Sequence, residues 1–295
     1  TSTPKPVSRS LSDLEKQLDL TLSVFKNAES EYALVTLPIY ALACLIIGTS
    51  IYIPKSKEKL DDIIKKEQPT LMFSSITKFL KVTDAAYSIK KASFGGSILY
   101  QKEAMQIKQT FPNTNFIYIY GATEASIISY TNLDEYINHL QNNELCLGNI
   151  LPNNNVEIIN NEIVVKKGII TNNYLNIAND SYHYTKDLGY IKDNKIYITG
   201  RKISNDISSD YVLEMLVKKE LNSDLKLSIL KIKEDYHIFI EEKDANNRLN
   251  IIFILEKYIK NGIIHIVKKM PLDYRHNSKV DYKKLLENIE GINYV

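Results

Sequence analysis

The chain has 295 residues, 44% of them hydrophobic, with 37 Lys and Arg against 35 Asp and Glu and a formal net charge of +2. That length exceeds the usual single domain, so a large body with a smaller second unit is expected. The balanced charge contains no long single-sign run, which argues against a nucleic-acid groove or a polybasic membrane anchor. The two cysteines, Cys44 and Cys146, lie far apart with no CxxC spacing and no nearby His cluster. They read as small core residues of a protein in a reducing cytoplasm, not as a zinc site.

The opening TSTPKPVSRS has no apolar stretch behind its basic residues, so no signal peptide is expected. Ser12 with Glu15 gives a capping-box pattern, and Leu11, Leu14, Leu18 and Leu22 recur at helical spacing, predicting a helix to about residue 25. Residues 32–54 carry no charged side chain and match the length of about 20 residues that a membrane helix needs. Pro38, Gly48, Thr36, Thr49 and Ser50 divide the stretch, so the expectation is a strand in LVTLP, a buried helix in YALACLIIG and a strand in SIYIP, with no membrane span. Residues 57–66 read as an amphipathic helix, TLMF as a strand, residues 103–111 as a helix and NFIYIY (115–120) as an apolar strand ending at Gly121. This alternation predicts an α/β layer. From Val156 the texture changes to hairpins turning at Asn160–Asn161 and near Asp193–Asn194. Beyond Arg201 comes the turn-prone KISNDISSD. A helix from about Val212, the hairpin LSILKIKEDYHIFIEE, a helix near residues 251–260 and the strand GIIHIVKK complete a compact α+β unit. The expected domains are 1–201 and 202–295.

Four segments carry chemistry. TSTPKPV packs hydroxyls and a lysine into a proline-bounded loop able to surround a triphosphate. YGATE (120–124) offers an aromatic face, a backbone turn, a hydroxyl and a carboxylate at a strand end, parts that suit a purine, a phosphate and Mg²⁺. In YTKDLG, Asp187 can accept two hydrogen bonds from vicinal hydroxyls, and Gly200–Arg201 follow it. RHNSKVD holds Lys279, a cation able to neutralise developing charge. Taken singly, these would be a chain tail, a turn with a surface acid, surface decoration and a solvated lysine. Their order along the chain gives them weight.

In that order the segments resemble the acyl-adenylate-forming (AMP-binding) ligase superfamily, most like bacterial acyl- or aryl-acid ligases. The resemblance covers nearly the whole chain. It implies a fold made of the back part of an adenylating large domain, an α/β layer plus a β-rich hairpin part, with a small α+β C-terminal lid. It implies ATP, Mg²⁺ and CoA or the phosphopantetheine of a carrier protein as cofactors, and a small carboxylic acid, an acyl carrier protein and no nucleic acid or membrane as partners. Carried over residue by residue, Thr1, Ser2, Thr3, Lys5, Gly95, Gly96, Ser97, Tyr120, Gly121, Ala122, Thr123, Asp187 and Arg201 would bind ATP. Glu124 would hold the metal, Tyr40, Ala41, Phe94 and Gly121 would line the acyl pocket, and Lys279, Thr123 and Glu124 would be catalytic. His276 reads as structural or exposed, not as a general base.

The sequence also departs from the family pattern. Ser2 and Pro6 replace phosphate-loop glycines, Lys186 replaces a glycine, and Asp206, Ser209 and Tyr211 replace the Lys, Gly and Arg of the linker that receives the thiol acceptor. A front portion on the order of 100 residues has no counterpart, pointing to a fragment, a partner chain that supplies that layer, or a degenerate member acting as a nonenzymatic nucleotide- or acyl-binding protein. No aspartate stands in LPIYALAC to pair with an amino group, which favours a fatty or aryl acid over an amino acid.

Overall fold

The computed structural model describes residues 7–8, 10–24, 31–55, 57–152, 154–166, 173–174, 182–273, 279–287 and 289. A short strand β1 (Val7–Ser8) precedes helix α1 (Leu11–Val24). Its capping box forms at Ser10 and Asp13, not at Ser12 and Glu15. The Asp13 amide donates to Ser10 Oγ at 3.1 Å and the Ser10 amide to Asp13 Oδ2 at 3.2 Å. The shorter acid closes the same reciprocal pair and starts the helix two residues earlier.

Residues 32–54 fold as β2 (Tyr32–Val35), α2 (Pro38–Ile46) and β3 (Ser50–Tyr52), with Pro38 in the first helical turn, where its missing N–H is no loss. Among the described residues no helix is long and apolar enough to cross a membrane. Then come α3 (Leu60–Glu67), β4 (Leu71–Phe73), α4 (Ile76–Phe79), β5 (Lys91–Gly95), α5 (Gln101–Thr110) and β6 (Asn115–Ala122). In α3, Asp61 and Asp62 lie in the first turn and Lys65 and Lys66 in the last, matching the helix dipole at both ends.

The strands β3, β2, β4, β5 and β6 lie side by side in that order and run parallel. Parallel strands are buried on both faces, which is why their sequences read as apolar runs without alternation. On one face Phe79, Phe94, Phe111 and Phe116 pack edge-on or tilted at 5.4 to 5.7 Å between ring centroids. On the other, Tyr40 and Cys44 of α2 pack with Val35, Phe73 and Ile119. Both cysteines are core residues, and burial raises both thiols, Cys44 to about 11, so neither is a nucleophile at neutral pH.

The chain then turns antiparallel through β7 (Ser126–Asn132), α6 (Leu133–Gln141) and β8 (Cys146–Ile150). The hairpin β9 (Val156–Ile159) and β10 (Glu162–Lys166) turns on Asn160 and Asn161 at φ +50° and +63°. A short β11 (Asn173–Tyr174) pairs with β1. The long pair β12 (Tyr182–Lys192) and β13 (Lys195–Lys202) turns on Asp193 and Asn194 at φ +51° and +58°. Both turns demand left-handed backbone, which Asn and Asp tolerate.

KISNDISSD, expected as a loop, contains β14 (Ile207–Asp210), with Ile207 and Ser209 facing inward. After it come α7 (Tyr211–Glu220), β15 (Leu227–Ile232), β16 (Asp235–Glu241), a 3₁₀ turn (Glu242–Asn247), α8 (Arg248–Leu255), β17 (Gly262–Val267) and α9 (Tyr282–Leu286). Gly200 lies opposite Asp210 and Lys202 opposite Ser208, so the sheet passes without a break through the neighbourhood of residue 202. Among the described residues it holds 15 strands.

Candidate active site

The carboxyl ends of β5 and β6 open on one side of the sheet, and two glycines let the backbones close up there. A Cβ on Gly95 would lie 2.3 Å from the carbonyl oxygen of Ile119, and one on Gly121 would lie 2.1 Å from that of Ser126. Only glycine is compatible with either contact. Gly96 follows at φ +91° and turns the chain toward α5. A register shift between Tyr120 and Gly121 precedes the turn 123–125, from which Ser126 starts β7 at φ +56°.

Beyond these strand ends lies a cleft of about 380 Å³, lined by Gly96, Ser97, Tyr120, Gly121, Asp187, Arg201 and Lys279 among others. The Asp187 carboxylate is held from two directions. Tyr120 donates its hydroxyl to Oδ2 at 2.9 Å, and Arg201, directly opposite on β13, donates from Nη1 to Oδ1. The Asp187 amide donates to Thr185 Oγ1 at 3.0 Å, and that hydroxyl donates to the carbonyl of Ile163 at 2.7 Å. Burial and the neighbouring Asp187 charge push the Tyr120 phenol well above its ordinary value, so it remains a donor at neutral pH. The guanidinium stays charged at any working pH.

Lys279 enters from the C-terminal part. Its amide donates to Asp273 Oδ1 at 2.9 Å, and the Asp273 amide donates back to its carbonyl at 2.8 Å. Burial and then the Arg201 charge lower the Lys279 ammonium below its usual value, against the opposing fields of Asp187, Asp273 and Glu124. Its side chain lines the cleft together with Asp187 and Arg201.

The remaining expected residues stand elsewhere. Phe94 is 1% exposed inside the aromatic core, its ring 5.3 Å from that of Tyr118, which lines the cleft. Tyr40 stacks on Phe73 at 4.9 Å between ring centroids and an 8° interplanar angle, on the opposite face of the sheet, with Ala41 beside it. Gly95 acts through close backbone approach, and Ala122 ends β6. Thr123 and Glu124 occupy the turn just past the cleft, with Glu124 3.9 Å from His183 Nε2. His183 and Asp273 escaped the sequence reading, and only their positions next to YTKD and within MPLD hinted at them. Thr1, Ser2, Thr3, Lys5 and His276 lie outside the described residues.

The profile of the AMP-binding enzyme family matches residues 1–170. The chain belongs to that family. Among curated AMP-binding relatives, a Staphylococcus aureus protein named as a long chain fatty acid-CoA ligase, VraA, is 29% identical over 141 residues, 45% of this chain and 30% of its own length. Its Staphylococcus epidermidis namesake is 25% identical over 175 residues, 56% of this chain and 37% of its own. The match thus spans about a third of these relatives. In three dimensions the chain is similar to the amide bond synthetase McbA of Marinactinospora thermotolerans, with TM-score 0.76, 14% identity, and coverage of 97% of this chain and 68% of that one. The o-succinylbenzoate coenzyme A synthetase MenE of Bacillus subtilis, solved with ATP and magnesium ion, gives TM-score 0.73 at 16% identity, covering 97% and 67%. These likenesses establish the adenylating-enzyme fold.

The donor set near the YGATE turn bears on the metal. Among the described residues no cluster of three or more His, Cys, Asp or Glu could hold an ion. Mg²⁺ does not require one, since it is commonly bound by one or two carboxylates and the substrate's own phosphates. The single carboxylate of Glu124 fits that mode, in which the ion would screen phosphate charge.

Proposed function

We propose that the protein activates a carboxylic acid of fatty or aryl type with ATP, forming acyl-AMP and releasing pyrophosphate, and then transfers the acyl group to the thiol of CoA or of a carrier-protein phosphopantetheine. The observation that carries this reading is the Asp187 carboxylate, anchored by Tyr120 and Arg201 in a cleft that Lys279 overlooks. Each anchored oxygen keeps a lone pair, so the pair of ribose hydroxyls can donate to a carboxylate already fixed in direction. Tyr120, tethered at its hydroxyl, offers its ring face to adenine. Thr123 lies in the turn that would meet the α-phosphate, Glu124 would hold Mg²⁺, and Lys279 supplies a preorganised positive charge where carboxylate and phosphate oxygens converge. Residues 202–295 act as the lid that brings Lys279 in.

The test is acid-dependent ATP–pyrophosphate exchange by the intact protein across a panel of fatty and aryl acids, with Lys279→Ala as control. Exchange that disappears in the variant supports the reading. No exchange with any acid, together with retained ATP binding by calorimetry, would instead favour a binding protein without turnover.

A further inference from the structure

Lys186 has φ +65° within β12, beside Asp187. That left-handed conformation is strained for any residue bearing a Cβ and is natural for glycine. The surroundings enforce it. The Lys186 amide donates to Glu162 Oε1 at 2.8 Å, Glu162 is 7% exposed, and β10 shifts register at that residue. Strain held this firmly next to a ligand-lining group is a marker of function.

Lys186 lines the cleft together with Asp187, Arg201 and Lys279. The cleft's carboxylates are already engaged: Asp187 by Tyr120 and Arg201, Glu103 by the Tyr100 amide, Glu214 by Tyr100, Ser228 and the Ile229 amide, and Asp281 by the Lys284 amide. Among the described residues no acid forms an ion pair with the Lys186 ammonium. An exposed lysine on a long stem with no ion-pair partner among the described residues, next to a carboxylate that suits a sugar diol, matches an anion carried by the same ligand.

We propose that Lys186 is a specificity-determining residue that recognises a phosphoryl group of the nucleotide whose sugar rests on Asp187. This rests on the nucleotide reading of the cleft given above. Glycine at this position would relieve the backbone and leave the phosphate one contact short.

The test is calorimetric titration of the 295-residue chain with AMP and with adenosine, for wild type, Lys186→Asn, Lys186→Gly and Lys186→Arg. Asn and Gly both accept the left-handed backbone and carry no charge. The expected result is a loss of about tenfold in AMP affinity for Asn and Gly, adenosine affinity within about twofold of wild type, and AMP affinity retained in Arg. The AMP difference should shrink as salt is raised. Equal losses for AMP and adenosine would assign Lys186 to shaping Asp187 alone and overturn the proposal, as would unchanged AMP binding. Wild type that binds neither ligand would refute the nucleotide reading itself, and the wild-type titration alone identifies that case.

Discussion

Removal of the Glu214 carboxylate should loosen the joint between α7 and the body of the protein. Glu214 is 5% exposed and collects three donors: the Tyr100 hydroxyl, the Ile229 amide at 3.0 Å and the Ser228 hydroxyl at 3.3 Å. Lys218, one turn on, sits 3.7 Å from the centroid of the Tyr100 ring. In Glu214→Ala each donor left unmatched in the interior costs about 1–3 kcal/mol, and Lys218 loses its compensating charge. Partial hydration of the new cavity offsets some of this, so the expected loss is about 3–5 kcal/mol, the range seen when one member of a buried charged network is removed. Glu214→Gln keeps an acceptor and should lose about half as much. Urea unfolding followed by far-ultraviolet circular dichroism reads both. A cycle with Tyr100→Phe should give a coupling of about 1–3 kcal/mol. A Glu214→Ala midpoint within about 0.5 kcal/mol of wild type would refute the network's role.

Gly121→Ala drives a Cβ into the Ser126 carbonyl and should cost at least about 2 kcal/mol in urea unfolding while weakening nucleotide binding; an unchanged midpoint would count against the close approach. Asp273→Ala frees the backbone of Lys279 and should slow adenylation about tenfold with adenosine binding intact, measured by pyrophosphate exchange and calorimetry. His237 Nδ1 and His265 Nε2 lie 2.9 Å apart with stacked rings, and burial lowers both imidazoles below their usual value. Their folded-state values therefore lie below the unfolded one, so the neutral pair contributes fully above about pH 6.5 and that contribution is lost as the pH falls through the folded-state values. The melting temperature should drop on acidification, and less steeply in His265→Gln; identical slopes would exclude the pair.

The parts of the fold that were legible in the sequence are those where one residue type meets a strict backbone demand. Asn160–Asn161 and Asp193–Asn194 announced their hairpins because few side chains tolerate positive φ at successive positions. The strands β5 and β7 and the helix α6 did not announce themselves. Ile127 and Ile128 are both buried, each in a different core cluster, so β7 shows no alternation to read. The start of α1 read from the sequence, Ser12 with Glu15, gives way to Ser10 with Asp13, whose shorter acid closes the capping box. Tyr120, Asp187 and Arg201, singled out by separate motifs, lie together in one cleft. Phe94 lies buried in the aromatic core behind the cleft wall, against Tyr118. Glu214 lay hidden inside an apolar helix, its partner Tyr100 being 114 positions away.

The positions that depart from the family pattern argue about the chain's history. In a remnant drifting free of function, replaced side chains would end with unsatisfied or solvent-directed groups, because nothing maintains complementarity across a long sequence separation. Ser209, where glycine is usual, is 2% exposed, and its Oγ accepts the Arg201 amide at 3.0 Å, a contact glycine could not make. Tyr211, in place of arginine, has its hydroxyl 3.5 Å from that of Tyr282 on α9, and burial raises its phenol to about 12. Lys186 has its amide held by Glu162, a contact that glycine would make equally. Asp206 alone remains simply exposed. Ser209 and Tyr211 thus tie β13 to β14 and α7 to α9 close to Arg201. Side-chain contacts of this kind at replaced positions are the pattern expected of a fold kept under constraint.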